Sequence, residues 1–235
     1  MKFLIGLFFF FPKIVFGNDI IQPFGYETLY QQGSFLSKFD GTTLTSVFPK
    51  NIYGSKTSGF SFGTQLNPKV SRTISYEVKF EKSFDFVRGG KLPGLCGGKN
   101  ASGGIPANGT NGFSARMMWR KNGRLVSYVY HVNQKSKYGD DFQWITSAKK
   151  DIQLTPGAWH KIKFTVSVND LGQSNGAIKG YFDGVLAFEK HDLLFRTTDI
   201  IAVDQLCFNT FFGGNDTTWA PSKEERLYIR NLQIN

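Results

Sequence analysis

The chain has 235 residues, of which 40% are hydrophobic and 16% aromatic, including 24 phenylalanines. This length fits a single domain, and this aromatic content excludes an intrinsically disordered chain, which has too little apolar surface to bury. The formal net charge of +10 indicates a polyanionic partner, namely nucleic acid, acidic lipid or acidic polysaccharide, although a merely solvated basic surface would carry the same charge.

The beginning of the chain has the pattern of a signal peptide. A short basic start precedes the apolar run Phe3 to Phe11, which is too short to span a membrane, and Val15 and Gly17 are the small residues of a cleavage site. We therefore predict a signal peptide over residues 1–17 and a single mature domain over residues 18–235. A Pro-Lys pair interrupts the pattern, so the alternative is an uncleaved hydrophobic N-terminus.

The rest of the chain fits a secreted protein. No later segment has eighteen consecutive apolar residues, so we expect an extracellular monomer without a membrane segment in its mature form. Secretion argues against nucleic acid as a partner and gives meaning to three N-glycosylation sequons, at Asn100, Asn108 and Asn215. Cys96 and Cys207 could form one disulfide in an oxidising compartment, or could equally be two buried thiols. The three histidines show no paired ligand spacing, so no metal site is expected.

The mature chain alternates apolar and polar residues with the period of two that is typical of β-strands. The apolar faces are Ile74, Tyr76, Val78 and Phe80 in ISYEVKF, and Ile162, Phe164, Val166 and Val168 in HKIKFTVSVN. Asp183-Gly184 lies between two further short strands and is a strong hairpin signal. These short strands predict an all-β sandwich or jelly roll, with one long loop over residues 97–112.

A single lysine lies within a Gly-rich segment, FVRGGKLPGLCGG, which begins at Phe86. Loops rich in Gly and Pro seldom place apolar residues such as Leu92 and Leu95 around one cation. We therefore expect the backbone to hold Lys91 in a confined position that faces a charged substrate.

The segment GFSARMMWRKNGRLVSYVYH predicts a second hairpin, whose register depends on its turn. Ser114 and Arg116 share one face of the first strand, and Tyr128 and Tyr130 share one face of the second. A two-residue turn would pair Arg116 with Val129, whereas a three-residue Lys-Asn-Gly loop pairs Arg116 with Tyr128 and Ser114 with Tyr130. In the second register all four polar side chains meet on one sheet face, as an active site would require. Otherwise they are ordinary strand residues.

Several separated blocks of the sequence resemble polysaccharide lyase family 14, the alginate and related polyuronate lyases. GGKLPGL is followed by GFSARMMWR and YVYH, and later by FFGGND, WAP and YIRNLQI, in the order of that family from roughly Tyr76 to the end. The resemblance implies a β-jelly roll, a two-sheet antiparallel sandwich of the concanavalin-like type. The site residues that it implies are Lys91, Ser114, Arg116, Tyr128 and Tyr130. One departure is Cys96, where the family pattern leads us to expect an aromatic residue.

Lyases of this kind cleave 4-O-linked uronates by β-elimination, in which the C5 proton leaves and the C4–O bond then breaks. Arg116 suits a bidentate grip on a carboxylate, which stabilises the charge that develops. Lys91 offers a point charge, and could act as a base if its pKa were depressed. We expect either Tyr128 or Tyr130 to act as base and acid, with a pKa lowered by the neighbouring cations. Ser114 is expected to position a substrate oxygen, and no cofactor is required.

Three residues near the C-terminus are candidate sugar contacts: Trp219 as a stacking platform, and Gly213 and Gly214 for close backbone approach. The leading hypothesis is a secreted lyase that cleaves an acidic polysaccharide such as alginate or glucuronan. The alternative is a non-catalytic, lectin-like module of the same fold, which would need only aromatic platforms. A sandwich-fold glycoside hydrolase ranks last, because the sequence shows no strand with the paired acidic residues it would need.

Overall fold

The computed structural model describes residues 28–32, 37–99 and 101–235. The strands in these residues are β1 (Thr28–Gln32), β2 (Lys38–Phe39), β3 (Thr43–Phe48), β4 (Phe60–Lys69), β5 (Ser71–Phe80), β6 (Gly89–Gly98), β7 (Gly112–Arg120), β8 (Leu125–Tyr130), β9 (Asp140–Gln143), β10 (Trp159–Ser167), β11 (Gly176–Phe182), β12 (Val185–Leu193), β13 (Val203–Phe212) and β14 (Glu225–Ile234). Short 3-10 turns occupy Lys121–Gly123 and Thr217–Trp219. The predicted signal peptide and Asn100 lie outside the described residues.

The strands form two antiparallel sheets of seven strands each. The order in the first sheet is β1-β4-β13-β6-β7-β8-β9, and in the second it is β12-β11-β10-β5-β14-β3-β2. The apolar faces of the two sheets pack against each other, which confirms the predicted all-β, two-sheet sandwich. Among the residues that the structure describes, no helix has the length and apolar character needed to cross a membrane.

The core between the sheets is rich in aromatic rings. Trp119 is fully buried, and its ring centroid lies 5.3–6.1 Å from those of Phe48, Phe80, Phe84 and Phe212. Burying one such side chain contributes about 1.5–3 kcal/mol, so this cluster supplies much of the driving force for packing the sheets. The apolar faces predicted for β5 and β10 are all buried here.

The Gly-rich segment around Lys91 is strand β6, in the middle of the first sheet, rather than a loop. Its glycines make room for its neighbours. A Cβ atom on Gly90 would lie 2.0 Å from the ring of Trp119, and one on Gly94 would lie 2.5 Å from the Cα of Arg116. Sequence alone does not predict a strand here, because strand propensity disfavours glycine, whereas packing requires glycine at these positions.

The hairpin of β7 and β8 has the three-residue loop that places the polar residues together. Asn122 and Gly123 adopt left-handed φ angles of 62° and 76°. Arg116 lies opposite Tyr128, and Ser114 lies opposite Tyr130, which confirms the second of the two predicted registers.

Candidate active site

A groove with a volume of about 1130 Å³ lies over the face of the first sheet that turns away from the core. It crosses β13, β6, β7, β8 and β9, so adjacent strands bring together side chains that are distant in sequence. Its lining includes Lys91, Arg116, Met118, Arg120, Tyr128, Tyr130, Asp141, Gln205, Asn209, Gly214 and Trp219. Four residues predicted as catalytic therefore share one groove.

Lys91 lies in the floor of this groove with only 8% of its surface exposed. Its Nζ lies 3.0 Å from the Sδ of Met118 and 3.3 Å from the centroid of the Tyr128 ring. Burial, reinforced by the positive charges of Arg116 and Arg120, lowers the pKa of Lys91 well below its ordinary value, and Asp141 opposes this only in part. Lys91 therefore releases its proton far more readily than a lysine in water does.

The two tyrosines form a pair, but their electrostatics differ from the prediction. Their ring centroids lie 5.6 Å apart in an edge-to-face arrangement. Burial, followed by the hydrogen bond and charge of Tyr130, raises the pKa of Tyr128, and the opposing effect of Arg116 is smaller. The expectation that neighbouring cations lower the pKa of the site tyrosine is therefore wrong for Tyr128, because the loss of hydration on burial disfavours its charged form more than Arg116 favours it. The Tyr130 hydroxyl accepts a hydrogen bond of 3.1 Å from the backbone N–H of Gly104.

Arg116 is held from behind by two side chains. One guanidinium nitrogen donates to Oδ1 of Asn209 at 3.2 Å, and another donates to Oγ of Ser114 at 3.4 Å. Ser114 is fully buried, and its hydroxyl donates to the carbonyl oxygen of Ala101 at 2.7 Å. The predicted contact between Ser114 and a substrate is therefore corrected: Ser114 supports Arg116 from below the groove.

A second arginine lies between two aromatic rings at one end of the groove. The guanidinium carbon of Arg120 is 5.6 Å from the ring centroid of Tyr128 and 5.9 Å from that of Trp219. Asp141 fixes this arginine through two hydrogen bonds of 2.8 and 2.6 Å. Such a bidentate pair sets the direction of the guanidinium plane as well as its distance.

The C-terminal candidates take different positions at this end. Trp219 and Gly214 line the groove, and a Cβ atom on Gly214 would lie 2.1 Å from the Trp219 ring, so only glycine allows this packing. Gly213 is buried beneath the same ring and donates its N–H to the carbonyl oxygen of Gly89. Close backbone approach to a sugar is therefore open to Gly214, whereas the corresponding expectation for Gly213 is corrected.

Cys96 and Cys207 form a disulfide that joins β6 to β13 and is completely buried. The sequon residues Asn108 and Asn215 are both exposed, and Asn215 also lines the groove. Within residues 28–32, 37–99 and 101–235, no group of three His, Cys, Asp or Glu side chains could hold a metal ion.

Among the groove residues that were not predicted as site residues are Met118, Arg120, Asp141 and Asn209, which contact the predicted ones or fix their charges. Met118 and Arg120 follow Arg116 at the period of two on β7, so strand alternation alone could have identified them. Asn209 had no such signal, because it comes from β13, whose pairing with β6 is interrupted between Cys207 and Phe211.

The outer sheet face of this jelly-roll sandwich carries a buried lysine, two arginines and two tyrosines in an open groove, a set of cationic and phenolic groups suited to proton transfer. The family model described as Polysaccharide lyase 14 matches residues 37–232, and the chain belongs to this family. It is therefore a polysaccharide lyase, and the lectin-like alternative is not retained.

Solved structures with the same fold include three alginate lyases. Aly36B shares 26% identity at a TM-score of 0.74, covering 85% of this chain and 82% of its own. The alginate lyase from a Chlorella virus shares 26% identity at a TM-score of 0.74, and the match covers 89% of this chain and 92% of the viral one. The alginate lyase from Aplysia kurodai shares 26% identity at a TM-score of 0.72, and the match covers 88% of this chain and 90% of its own. A mutant of Aly36B in complex with an alginate tetrasaccharide also matches, at 25% identity. A comparison with curated proteins finds no match to this chain.

Proposed function

We propose that this lyase is secreted and that it cleaves alginate by β-elimination in the groove, with the neutral amine of Lys91 as the base. The observation that carries the proposal is the burial of Lys91 between Met118 and Tyr128, beside two arginines that lower its pKa. A lysine with a depressed pKa is a competent base near neutral pH. The substrate is inferred from the alginate lyases to which the chain is similar.

In the proposed reaction the Lys91 amine removes the proton from C5 of the uronate. The electron pair left on C5 forms the C4–C5 double bond, and the C4–O bond breaks. The leaving oxygen takes a proton from Tyr128, whose raised pKa keeps its hydroxyl protonated at the start. The C5 proton stays on Lys91, the electron pair of the C4–O bond leaves with the oxygen, and transfer of a proton from Lys91 to Tyr128 then restores both residues without a second base.

Arg116 supplies the positive charge that this reaction needs. Removing the C5 proton places a second negative charge on a unit that already carries a carboxylate. A fixed cation in a partly dehydrated groove stabilises that charge without reorganising during the reaction. The bonds from Arg116 to Asn209 and Ser114 hold the guanidinium in one place, which is the preorganisation required.

Secretion is supported by three features of the chain. The N-terminal seventeen residues have the pattern of a signal peptide. The Cys96–Cys207 disulfide suits an oxidising compartment, and the exposed Asn108 and Asn215 are accessible to glycosylation. We further propose that the mature enzyme is monomeric and acts outside the cell.

The test measures absorbance at about 235 nm, where the unsaturated uronate formed by elimination absorbs. The protein is incubated separately with alginate, polymannuronate, polyguluronate and glucuronan. We expect a rise with alginate and loss of at least about 100-fold in rate for Lys91→Ala, the magnitude typical of removing a general base. Lys150→Ala, at an exposed lysine, is the control. A rise with glucuronan alone would overturn the substrate, and an active Lys91→Ala enzyme would overturn the base.

A further inference from the structure

The outer face of the second sheet, opposite the groove, carries its own row of aromatic and cationic side chains. Trp159 on β10 lies opposite Lys79 on β5, and Lys79 lies opposite Tyr228 on β14. Side chains alternate along each strand, and the strand neighbours of these three residues, Val78, Phe80, His160, Leu227 and Ile229, are buried. The three side chains therefore point to solvent as one cross-strand row.

The row is held together by cation–π contacts. The Nζ of Lys79 lies 4.9 Å from the centroid of Trp159 and 4.9 Å from that of Tyr228. The guanidinium carbon of Arg230 lies 4.0 Å from the Trp159 ring. These contacts hold long side chains extended across the sheet before any ligand arrives, which lowers the entropic cost of binding.

The same face extends to the next strand. Lys163 on β10 lies opposite Tyr181 on β11, with its Nζ 5.7 Å from the ring centroid, and Lys161 lies exposed between Trp159 and Lys163. Arg230 is paired with Glu77. In the described part of the chain, however, Lys79, Lys161 and Lys163 make no ion pair with a carboxylate. Lys161 also lies opposite Glu77 and helps to lower the pKa of that carboxyl, so the charges of Lys79 and Lys163 are the ones available to an anionic ligand.

We propose that this face, which we call the outer-sheet patch (Lys79, Trp159, Lys161, Lys163, Tyr181 and Tyr228), is a second binding site for acidic polysaccharide that performs no cleavage. Charge complementarity identifies the occupant as a chain of uronates, whose carboxylates pair with the lysines that the aromatic side chains hold in place. This inference rests on the proposed function only for the identity of the polymer.

The position of the patch gives it a distinct role. The groove and the patch lie on opposite outer faces of the sandwich, so they contact different chains or distant parts of one chain. Binding at the patch raises the effective concentration of polymer at the groove without altering the chemical step. The patch therefore matters for long or insoluble substrates and has no effect on short oligosaccharides.

The first test is retention of the protein in native gels that contain alginate, in a Lys91→Ala/Arg116→Ala background that prevents cleavage and weakens the groove. Adding Lys79→Ala/Lys163→Ala should reduce retention at least about 5-fold, the size expected from losing two cation contacts. The matched control is Lys149→Asn/Lys150→Ala, which removes the same charge from an exposed turn elsewhere, with asparagine chosen because position 149 has a φ of 59°. Equal retention in all variants, or an equal loss in both pairs, would overturn the proposal.

The second test uses the otherwise unaltered enzyme with Lys79→Ala/Lys163→Ala alone. We expect KM for polymeric alginate to rise about 5-fold, with kcat and the rate on a short oligosaccharide unchanged. An unchanged KM, or an equal loss on both substrates, would contradict the patch.

Sedimentation without polysaccharide tests whether a second copy of the chain occupies the patch instead. A change of oligomeric state in this variant would make the face a contact between copies and would also refute the inference. If no alginate is cleaved but gel retention still depends on the patch, the proposed function fails and the patch stands.

Discussion

The amine nitrogen of Lys91 lies 3.3 Å from the centroid of the Tyr128 ring, so the ring covers the lysine, while the hydroxyl of the same residue, which is hydrogen-bonded to Tyr130, is the proton donor proposed above. Tyr128→Phe separates these two roles. We expect kcat to fall by about 100-fold or more, because the proton donor is lost, while the melting temperature stays close to that of the parent, because the ring remains. Rates and thermal unfolding measure the two effects.

Tyr181→Phe is the matched control for kcat, since Tyr181 lies on the other sheet, away from the groove, and the outer-sheet patch to which it belongs is proposed to act on KM and not on the chemical step. Full activity in Tyr128→Phe would exclude this hydroxyl as the donor and direct attention to Tyr130.

The salt bridge between Arg120 and Asp141 predicts opposite pH shifts for its two partners. Arg120 lowers the pKa of Lys91 and Asp141 raises it. The base is active only when neutral, so activity is lost as pH falls through the pKa of Lys91. Asp141→Asn should therefore move the acid limb of kcat/KM to lower pH, and Arg120→Gln should move it to higher pH. Both substitutions break the same bidentate contact, so shifts in one direction for both would mean structural damage rather than electrostatics.

Lys91 also predicts how stability depends on pH. Its pKa is lower in the folded than in the unfolded chain, so between the two values the unfolded chain binds more protons. The free energy of unfolding therefore rises with pH in this window, up to the unfolded value of about 10.4. Lys91→Met, which packs against Met118 without a charge, should remove this contribution.

Denaturant unfolding at a series of pH values between neutral and alkaline measures the effect. We expect the Lys91→Met variant to be at least as stable as the parent at neutral pH while its lyase activity is absent. If the free energy of unfolding changed with pH in the same way in both proteins, the lowered pKa of Lys91 would be contradicted.

Much of this architecture follows from local pattern. Alternation identified the buried faces of β5 and β10, and the Asp183-Gly184 pair identified the turn between β11 and β12, where both residues have positive φ. The register of β7 and β8 required one further choice, which depended on the length of their loop. These features are predictable because each is set by residues close together in sequence.

Other features depend on contacts across the fold. The glycines of strand β6 disfavour a strand by local propensity, and their role becomes evident only from their close packing against Trp119 and Arg116 on the neighbouring strand. The raised pKa of Tyr128 depends on how much water the assembled groove excludes. The sequence shows which charged residues are near Tyr128, but it does not show how deeply the residue is buried. Asn209 reaches Arg116 only through an irregular strand pairing. In each case a long-range packing effect outweighs the local signal.

Gly214 predicts a specific defect at the groove. A Cβ atom there would lie 2.1 Å from the Trp219 ring, whereas Gly184, with the same φ of 86°, has nothing within 4 Å. Alanine at either position carries the same backbone penalty of about 1–2 kcal/mol. Gly214→Ala should in addition displace Trp219 and raise KM for alginate, whereas Gly184→Ala should leave KM unchanged. Comparing both variants by kinetics and thermal unfolding isolates Trp219, and equal KM values would argue against its contact with substrate.

The disulfide predicts a loss of stability that is separable from catalysis. Cys96 and Cys207 are 111 residues apart. In the chain-entropy model, closing a loop of about 100 residues raises the free energy of the unfolded chain by about 4.7 kcal/mol, because it removes conformational entropy. Cys96→Ala/Cys207→Ala should therefore lose about 2–5 kcal/mol of unfolding free energy. Lys91 is held by Met118 and Tyr128, on β7 and β8, so kcat well below the melting temperature should change little. Denaturant unfolding and rates at low temperature measure the two quantities, and a collapse of kcat without loss of stability would show instead that the bond positions the groove side of β13.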